Sequence, residues 1–410
     1  MHTIIYELIQ ERIMPNTEQL QTAMPVAPVK LLTTQSALPL ARIVNSHLVE
    51  YRRNLNNSFK KDPAFHGYME DDYLIEVECP RFGTGESKGI LNTSVRGKDV
   101  FILMDVCNHS ITYQMNGYLN HMSPDDHYQD LKRIIAAING KAHRITVIMP
   151  FLYEGRQHKR NGRESLDCAY AIKEIMDMGV SNFITFDAHD PRVQNSVPIK
   201  GFDNFTPPYQ FIQALLRTEG DLIIDKEHTI VICPDEGALD RGIYFANVLG
   251  VDTGMFYKRR DYSTIVNGKN PIVAHEFLGD NIDGKDAIII DDMISSGGSM
   301  IDTARQLKKM NAKRVFICCT FGLFTEGLAA FDDAYEKCLF DRIITTNLCY
   351  QPPELKEKPY YLEADMSKFI ASIIDFMNHD ASMANIYTPT DKIHQILARY
   401  NNREVSSLDL

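Results

Sequence analysis

Short, continuous apolar runs recur along the chain, each bounded by turn residues and separated by stretches of helical spacing. Residues 100–104, 145–149, 183–186, 229–233, 287–290, 315–319 and 343–345 read as strands. They are apolar at successive positions rather than alternate ones, as expected of strands covered on both faces. Helical spacing marks 128–139, 167–178 (closed by Gly179) and 300–310, where Met300, Ile301, Ala304 and Leu307 fall three or four residues apart. Strands alternating with helices predict an α/β fold with mostly parallel sheets flanked by helices. Pro207 and Pro208 divide the pattern into two halves of similar size, giving domains at 71–206 and 207–351. Residues 1–70, with Pro15, Pro25 and Pro28 and no sustained periodicity, read as an N-terminal extension. The remainder, 352–410, reads as a helix over 366–377 followed by an irregular polar tail.

Composition narrows the class. A chain of 410 residues, 44% hydrophobic and 24% charged, has the length and the apolar content for multidomain globular folding. A formal net charge of -11 argues against a nucleic-acid surface, so the basic clusters at 156–163 and 258–260 point to the phosphates of a small ligand. No apolar run reaches the length of a membrane span, and the N-terminal MHTIIYELIQER lacks the basic-then-apolar order of a signal peptide. The eight cysteines form no CxxC pair, and several sit inside strand-like runs. They read as reduced core thiols of a cytoplasmic protein rather than a zinc site.

The densest chemistry lies in AIIIDDMISSGGSM, residues 287–300. A strand delivers Asp291 and Asp292 to its carboxyl end, a loop of small residues follows, and a helix opens. Backbone N–H groups of Ser296, Gly297, Gly298 and Ser299 suit a phosphate, assisted by the helix's positive end. The paired carboxylates suit the vicinal hydroxyls of a ribose. TIVICPDEGALDR repeats the logic upstream, where a buried strand leads to Asp235, either a ligand for a metal or sugar hydroxyl or an ordinary turn aspartate. FYKRRD ends an apolar run in Lys258, Arg259 and Arg260 ahead of a polar, glycine-bearing stretch, either a solvated edge or mobile cations for a phosphoryl-transfer loop. No GxxxxGK[ST] occurs, so the chain has no P-loop. RITVIMPFLYEGRQHKRNGRE instead gathers Arg156, His158, Lys159, Arg160 and Arg163 after a strand, and FITFDAHDPRVQNS ends another strand in Asp187 and His189.

The 287–300 segment resembles the ribose-phosphate signature shared by type I phosphoribosyltransferases and ribose-phosphate pyrophosphokinases (PRPP synthetases). CPDEGALDR is similar to the SPD-x-GG-x-x-R element of the latter, and YKRRDYS to their flexible catalytic loop. FLYEGRQHKR resembles IPY-x-x-YARQD-(K/R)-(K/R), and ITFDAHDPRVQ resembles MDLH-x-x-Q. PRFGTGESKGILNTSVRGKDVFIL looks like their F-x-(D/N)-GE…SVRG block. The resemblance implies two phosphoribosyltransferase-like domains, ATP and ribose 5-phosphate as substrates, Mg²⁺ as the cofactor, and PRPP and AMP as products. It places Lys258, Arg260 and His189 in catalysis, and Asp235, Asp291, Asp292 and Ser295 through Ser299 on ribose 5-phosphate. It gives ATP to Arg156 and Gln157 and the metal to His189, Asp187 and Asp235. Phe82 and Glu86 would hold adenine for a neighbouring subunit, which implies a homo-oligomer.

Three positions depart from the family pattern. Ser295 stands where a third carboxylate is usual, His158 where aspartate is usual, and Thr84 where Asp or Asn is usual. Ser295 and His158 leave a weak or inactive regulatory paralogue as one alternative, and the shared loop leaves a PRPP-consuming phosphoribosyltransferase as a second. The second would have no use for Arg156–Gln157 or for Lys258 and Arg260.

Overall fold

The computed structural model describes residues 20, 23–54, 66–260, 272–387 and 389–401, and of 258–260, 272–275 and 385 only the backbone. Every apolar run named above is a strand, and the chain divides into two units. The first takes the chain through Thr206, then Asn347–Tyr350 and Met366–Thr388. The second takes Pro207–Thr346, Gln351–Asp365 and the chain from Pro389.

The first unit holds β1 (Val29–Thr33), α1 (Leu38–Asn54), β2 (Leu74–Glu76), β3 (Asp99–Leu103), the hairpin β4 (Thr112–Met115)–β5 (Tyr118–His121), α2 (Pro124–Ile138), β6 (Arg144–Ile148), α3 (Asp167–Asp177), β7 (Asn182–Phe186) and β8 (Gly201–Phe205). Its six-stranded sheet runs β2-β1-β3-β6-β7-β8 with every pair parallel. Residues 29–54 are therefore no extension. β1 is a central strand, and α1 buries Leu40, Ala41, Val44 and Leu48. The sequence hides this because VKLLT is short, carries Lys30 and follows two prolines. α2 begins at a full capping box, with Ser123 and Asp126 each serving the other's backbone N–H, and Pro124 opening its first turn. Such a cap contributes about 1 kcal/mol.

The second unit holds α4 (Pro208–Thr218), β9 (Thr229–Cys233), α5 (Leu239–Leu249), β10 (Asp252–Arg260), β11 (Ile272–Leu278), β12 (Asp286–Ile294), α6 (Gly298–Lys309), β13 (Arg314–Gly322), α7 (Ala329–Glu336), β14 (Arg342–Thr346) and β15 (Tyr361–Ala364). Its sheet runs β11-β10-β9-β12-β13-β14-β15, parallel except for β11 against β10. β15 lies beyond the expected end of this domain at 351 and forms the sheet's edge strand.

The tail beyond 352 is likewise built into both units. α8 (Ser367–Asn378) belongs to the first and α9 (Thr390–Asn401) to the second, where Ile393 and Leu397 enter the core with Phe211, Leu215 and Phe245. The expected irregular polar tail is thus in part an amphipathic helix. α8 docks on α1 through a buried ion pair, Arg52 Nε to Asp375 Oδ1 at 2.9 Å. The Arg52 guanidinium also lies 4.4 Å from the Tyr68 ring centroid and donates to Asn378 Oδ1 at 2.8 Å.

Candidate active site

In the second sheet β9 is followed by β10 and β11 on one side, and the chain then crosses to β12 on the other. The carboxyl ends of β9 and β12 flank this reversal, where open α/β sheets take their ligands. Asp235 follows β9, and Asp291 and Asp292 lie in the carboxyl half of β12, which runs past the expected end at 290 to Ile294.

Asp235 caps the short turn Glu236–Ala238, its Oδ1 accepting the Gly237 N–H at 2.9 Å. It therefore has the turn role first, with its second oxygen outside that bond. Asp291 Oδ1 accepts the Asp292 N–H at 2.9 Å and lies 3.5 Å from Arg241 Nη1. Burial pushes the Asp291 carboxyl well above the usual range, the neighbouring Asp292 adds to this, and Arg241 opposes it. Arg241, in the ALDR motif, carries no site signal in the sequence, because its link to Asp291 exists only once α5 packs beside β12. α5 lies closest on β9, where a β-carbon at Gly242 would lie 2.1 Å from Cys233 Sγ, with Ile290 of β12 at 3.5 Å.

The small-residue loop leads from β12 into α6. The Ser295 carbonyl accepts the Thr325 N–H at 3.0 Å, tying the loop to the turn after β13. Gly297 takes the left-handed conformation at φ 88°, and no side chain caps the helix that begins at Gly298. The first N–H groups of α6 and its positive end thus face the loop from Ser296 to Ser299 without a capping side chain, as an anion site requires.

Lys258 and Arg260 differ from expectation. Their backbone stands on β10, paired with His275 and Ile272 of β11 and separated by a register shift after Arg259. They sit on a hairpin arm, not in a loop; residues 261–271, the rest of the expected lid, lie outside the described residues, as do the side chains of Lys258 and Arg260.

In the first unit the loops after β6 and β7 meet. The His158 and His189 rings lie 5.4 Å apart, and His158 Nε2 is 3.4 Å from Asp190 Oδ2. His158 Nδ1 is buried without a hydrogen-bond partner. Asp190 also accepts from Arg192 Nε at 2.8 Å, and that bond leads in holding its carboxyl down at about 2. Asp187 turns the chain at φ 40°, its N–H donating to the Phe205 carbonyl at 2.7 Å. Next to it the Ala188 N–H donates to Asn204 Oδ1 at 2.9 Å, so β8 fixes the turn that presents His189. Arg156 lies close enough to Cys107, after β3, to affect its thiol, and Gln157 Nε2 donates to the Ser165 carbonyl at 2.8 Å. Phe82 and Glu86 are elsewhere in the unit, on a loop whose base residue Arg81 pairs with Asp130 of α2 at 2.9 Å. Among the described residues no three His, Cys, Asp or Glu side chains form a ready metal centre. None of the described helices is long and apolar enough to cross a membrane.

A small-residue loop with an open helix end at one sheet's reversal, and a second sheet with a cation-rich loop, define an α/β phosphosugar transferase of two phosphoribosyltransferase-like units. Comparison with known proteins narrows this. Residues 29–179 match the N-terminal domain of ribose phosphate pyrophosphokinase, and residues 210–358 match the phosphoribosyl transferase domain. The ribose-phosphate pyrophosphokinase of Corynebacterium glutamicum is 31% identical over 67% of this chain and 76% of its own. That of Corynebacterium efficiens is 31% identical over 76% of this chain and 89% of its own. The crystal structure of phosphoribosylpyrophosphate synthetase from Mycobacterium smegmatis shares the fold, with a TM-score of 0.67 over 86% of this chain and 99% of that one at 22% identity. The chain belongs to the ribose-phosphate pyrophosphokinase family.

Proposed function

We propose that the second unit binds ribose 5-phosphate and the first binds ATP, for transfer of the β,γ-diphosphoryl group to the sugar's anomeric hydroxyl. The hydroxyl oxygen bonds to the β-phosphorus, the bond from that phosphorus to the α,β-bridging oxygen breaks, and AMP leaves with that oxygen. The hydroxyl proton passes to solvent. Positioning and charge neutralisation carry such a step, and no protein nucleophile is needed.

The loop from Ser295 to Ser299 holds the 5-phosphate on the N–H groups at the start of α6. Asp291 and Asp292, with Asp235, take the ribose hydroxyls, and Arg241 keeps Asp291 from standing as an isolated buried charge. Arg156 and Gln157 take ATP, while Lys258 and Arg260 meet the charge developing on the transferring group. The described donors suit a Mg²⁺ ion that arrives with the nucleotide, since Mg²⁺ uses few protein ligands and keeps substrate phosphates and water. Asp187 and His189 of the first unit would hold it with the ATP phosphates, Asp235 is the second unit's own candidate metal ligand, and the ion's contribution is to neutralise the phosphate oxygens. Phe82, 54% exposed in the single chain, and Glu86 take the adenine of a second copy, making the working form a homo-oligomer. All eight cysteines are free thiols, which supports a reducing, cytoplasmic setting.

The observation that carries this reading is the pair of sites in one chain. A PRPP-consuming transferase needs the loop at Ser295–Ser299 but not Arg156 and Gln157 or Lys258 and Arg260. Ser295 favours one other reading, a regulatory paralogue that binds both substrates without turnover. Phosphorus NMR of the protein with Mg²⁺, ATP and ribose 5-phosphate separates them. AMP together with a sugar-linked diphosphate establishes the synthetase; binding of both substrates with no new phosphorus signals establishes the paralogue.

A further inference from the structure

The hairpin β4–β5 adds nothing to the core of its unit. Both strands are exposed or half-exposed throughout, and at the tip Tyr118 and Leu119 are 75% and 61% exposed. Isolated two-stranded hairpins are marginal in water, so this one depends on what it touches. It touches the loop at 81–87. Asn116, left-handed at φ 51°, donates its N–H to the Gly83 carbonyl at 2.8 Å. The Met115 thioether covers Gly85 so closely that a β-carbon there would lie 2.6 Å from Sδ. At the loop's base the Arg81 guanidinium lies 4.9 Å from the Tyr113 ring centroid.

The loop is closed in itself by Phe82 N–H to the Glu86 carbonyl at 2.7 Å, Gly85 N–H to the Phe82 carbonyl at 2.8 Å, and Thr84 Oγ1 to Glu86 Oε2 at 3.0 Å. Two glycines in five residues make it costly to order. Two fastenings from the hairpin, one backbone and one side-chain, fall on those glycines. The result is a pinned loop whose one large apolar side chain, Phe82, points its surface outward.

We infer that the hairpin β4–β5 is a positioning element for nucleotide recognition, with Met115 and Asn116 holding the loop 82–86 in the shape that meets adenine. This rests on the assignment of Phe82 and Glu86 to the base and adds the residues that fix their geometry. A loop ordered before binding spends less of its interaction energy on being ordered.

The test uses the full chain, with ATP affinity and ribose 5-phosphate affinity measured by calorimetry in Mg²⁺, turnover in parallel, and a thermal melt of each variant. Met115→Ala weakens ATP by about tenfold and leaves ribose 5-phosphate affinity and the melting temperature near those of the parent. Met115→Leu, which restores the bulk over Gly85, returns ATP affinity toward the parent value. In the double variant with Phe82→Ala, Met115→Ala adds nothing, because a loop without its ring gains nothing from being held. ATP weakened by Phe82→Ala but untouched by Met115→Ala overturns the inference and leaves the assignment of Phe82 standing. ATP untouched by Phe82→Ala overturns both. Loss of affinity for both substrates with a lowered melting temperature reduces the hairpin to structural support and overturns the inference as well.

Discussion

A β-carbon on Gly297 would lie 2.1 Å from Cζ of Phe331. The loop proposed to hold the 5-phosphate is thus seated directly on an aromatic ring, and that ring is itself fixed edge-on to Phe324 with centroids 5.2 Å apart. Gly297→Ala meets both the clash and the left-handed backbone, a combined cost of about 2–4 kcal/mol. The loop would leave its seat, and ribose 5-phosphate affinity should fall by orders of magnitude. Gly298→Ala, one residue on, meets no atom within 4 Å and should leave the melting temperature within a few degrees of the parent. Calorimetric titration with ribose 5-phosphate and a thermal melt of the two variants check the contrast; equal behaviour would remove the seat from the account.

Lys258 gives a sharper test of the transfer step. Lys258→Ala should lower turnover by about two orders of magnitude or more while ribose 5-phosphate binding survives, because its proposed partner is charge that develops only during transfer. Unchanged turnover would take Lys258 out of the chemistry.

What the sequence made legible was whatever is written locally. The central strands announce themselves because both faces are buried, and the strand–loop–helix order of AIIIDDMISSGGSM is legible because its parts are contiguous. β8, reading GFDNF, does not look like a strand. Its polar positions are satisfied by distant chain, Asn204 by the Ala188 N–H and Asp203 by the Tyr387 hydroxyl. Arg241 was unreadable as a site residue for the same reason, since only packing brings it to Asp291. Lys258 and Arg260 read as a loop because charge at a strand's end and charge in a lid look alike one residue at a time.

Asp105 introduces a pH dependence of stability. It follows β3 where the first sheet reverses, and it is buried, with its two oxygens accepting the Cys107 N–H at 2.8 Å and the Tyr350 N–H at 2.6 Å. Burial raises its pKa to about 7, against the pull of those two bonds. A carboxyl raised in the folded state keeps its proton there after the unfolded chain has released it. Its contribution is therefore fully present below about pH 4 and is lost as pH climbs to about 7, a loss on the order of a few kcal/mol. Urea midpoints between pH 5 and 8 should fall more steeply for the parent than for Asp105→Asn, which has no charge to bury. Asp105→Asn should also start from a lower midpoint at pH 5, because its amide nitrogen cannot accept one of the two backbone N–H groups. Parallel slopes would show that Asp105 is not the group responsible.

The buried pair Arg52–Asp375 should be costly to break and cheap to replace. Neither side chain is exposed, and Asn378, which accepts from Arg52, donates onward to Asp99 Oδ2 at 2.9 Å. Arg52→Met leaves the Asp375 carboxylate buried without its cation, a loss of about 3–5 kcal/mol. His379 offers no full substitute, as its Nδ1 lies 3.7 Å from Asp375 Oδ1 and is engaged with the Asp375 carbonyl at 2.7 Å. Removing the second charge as well, in Arg52→Met with Asp375→Leu, should recover most of the loss, because the desolvation of both ions disappears with them. Denaturant unfolding of the parent, of Arg52→Met and Asp375→Leu singly, and of the double variant gives the coupling energy. Recovery in the double variant would show that α8 is held to α1 by shape and apolar contact, with the ion pair selecting its register; failure to recover would make the ion pair itself the fastening.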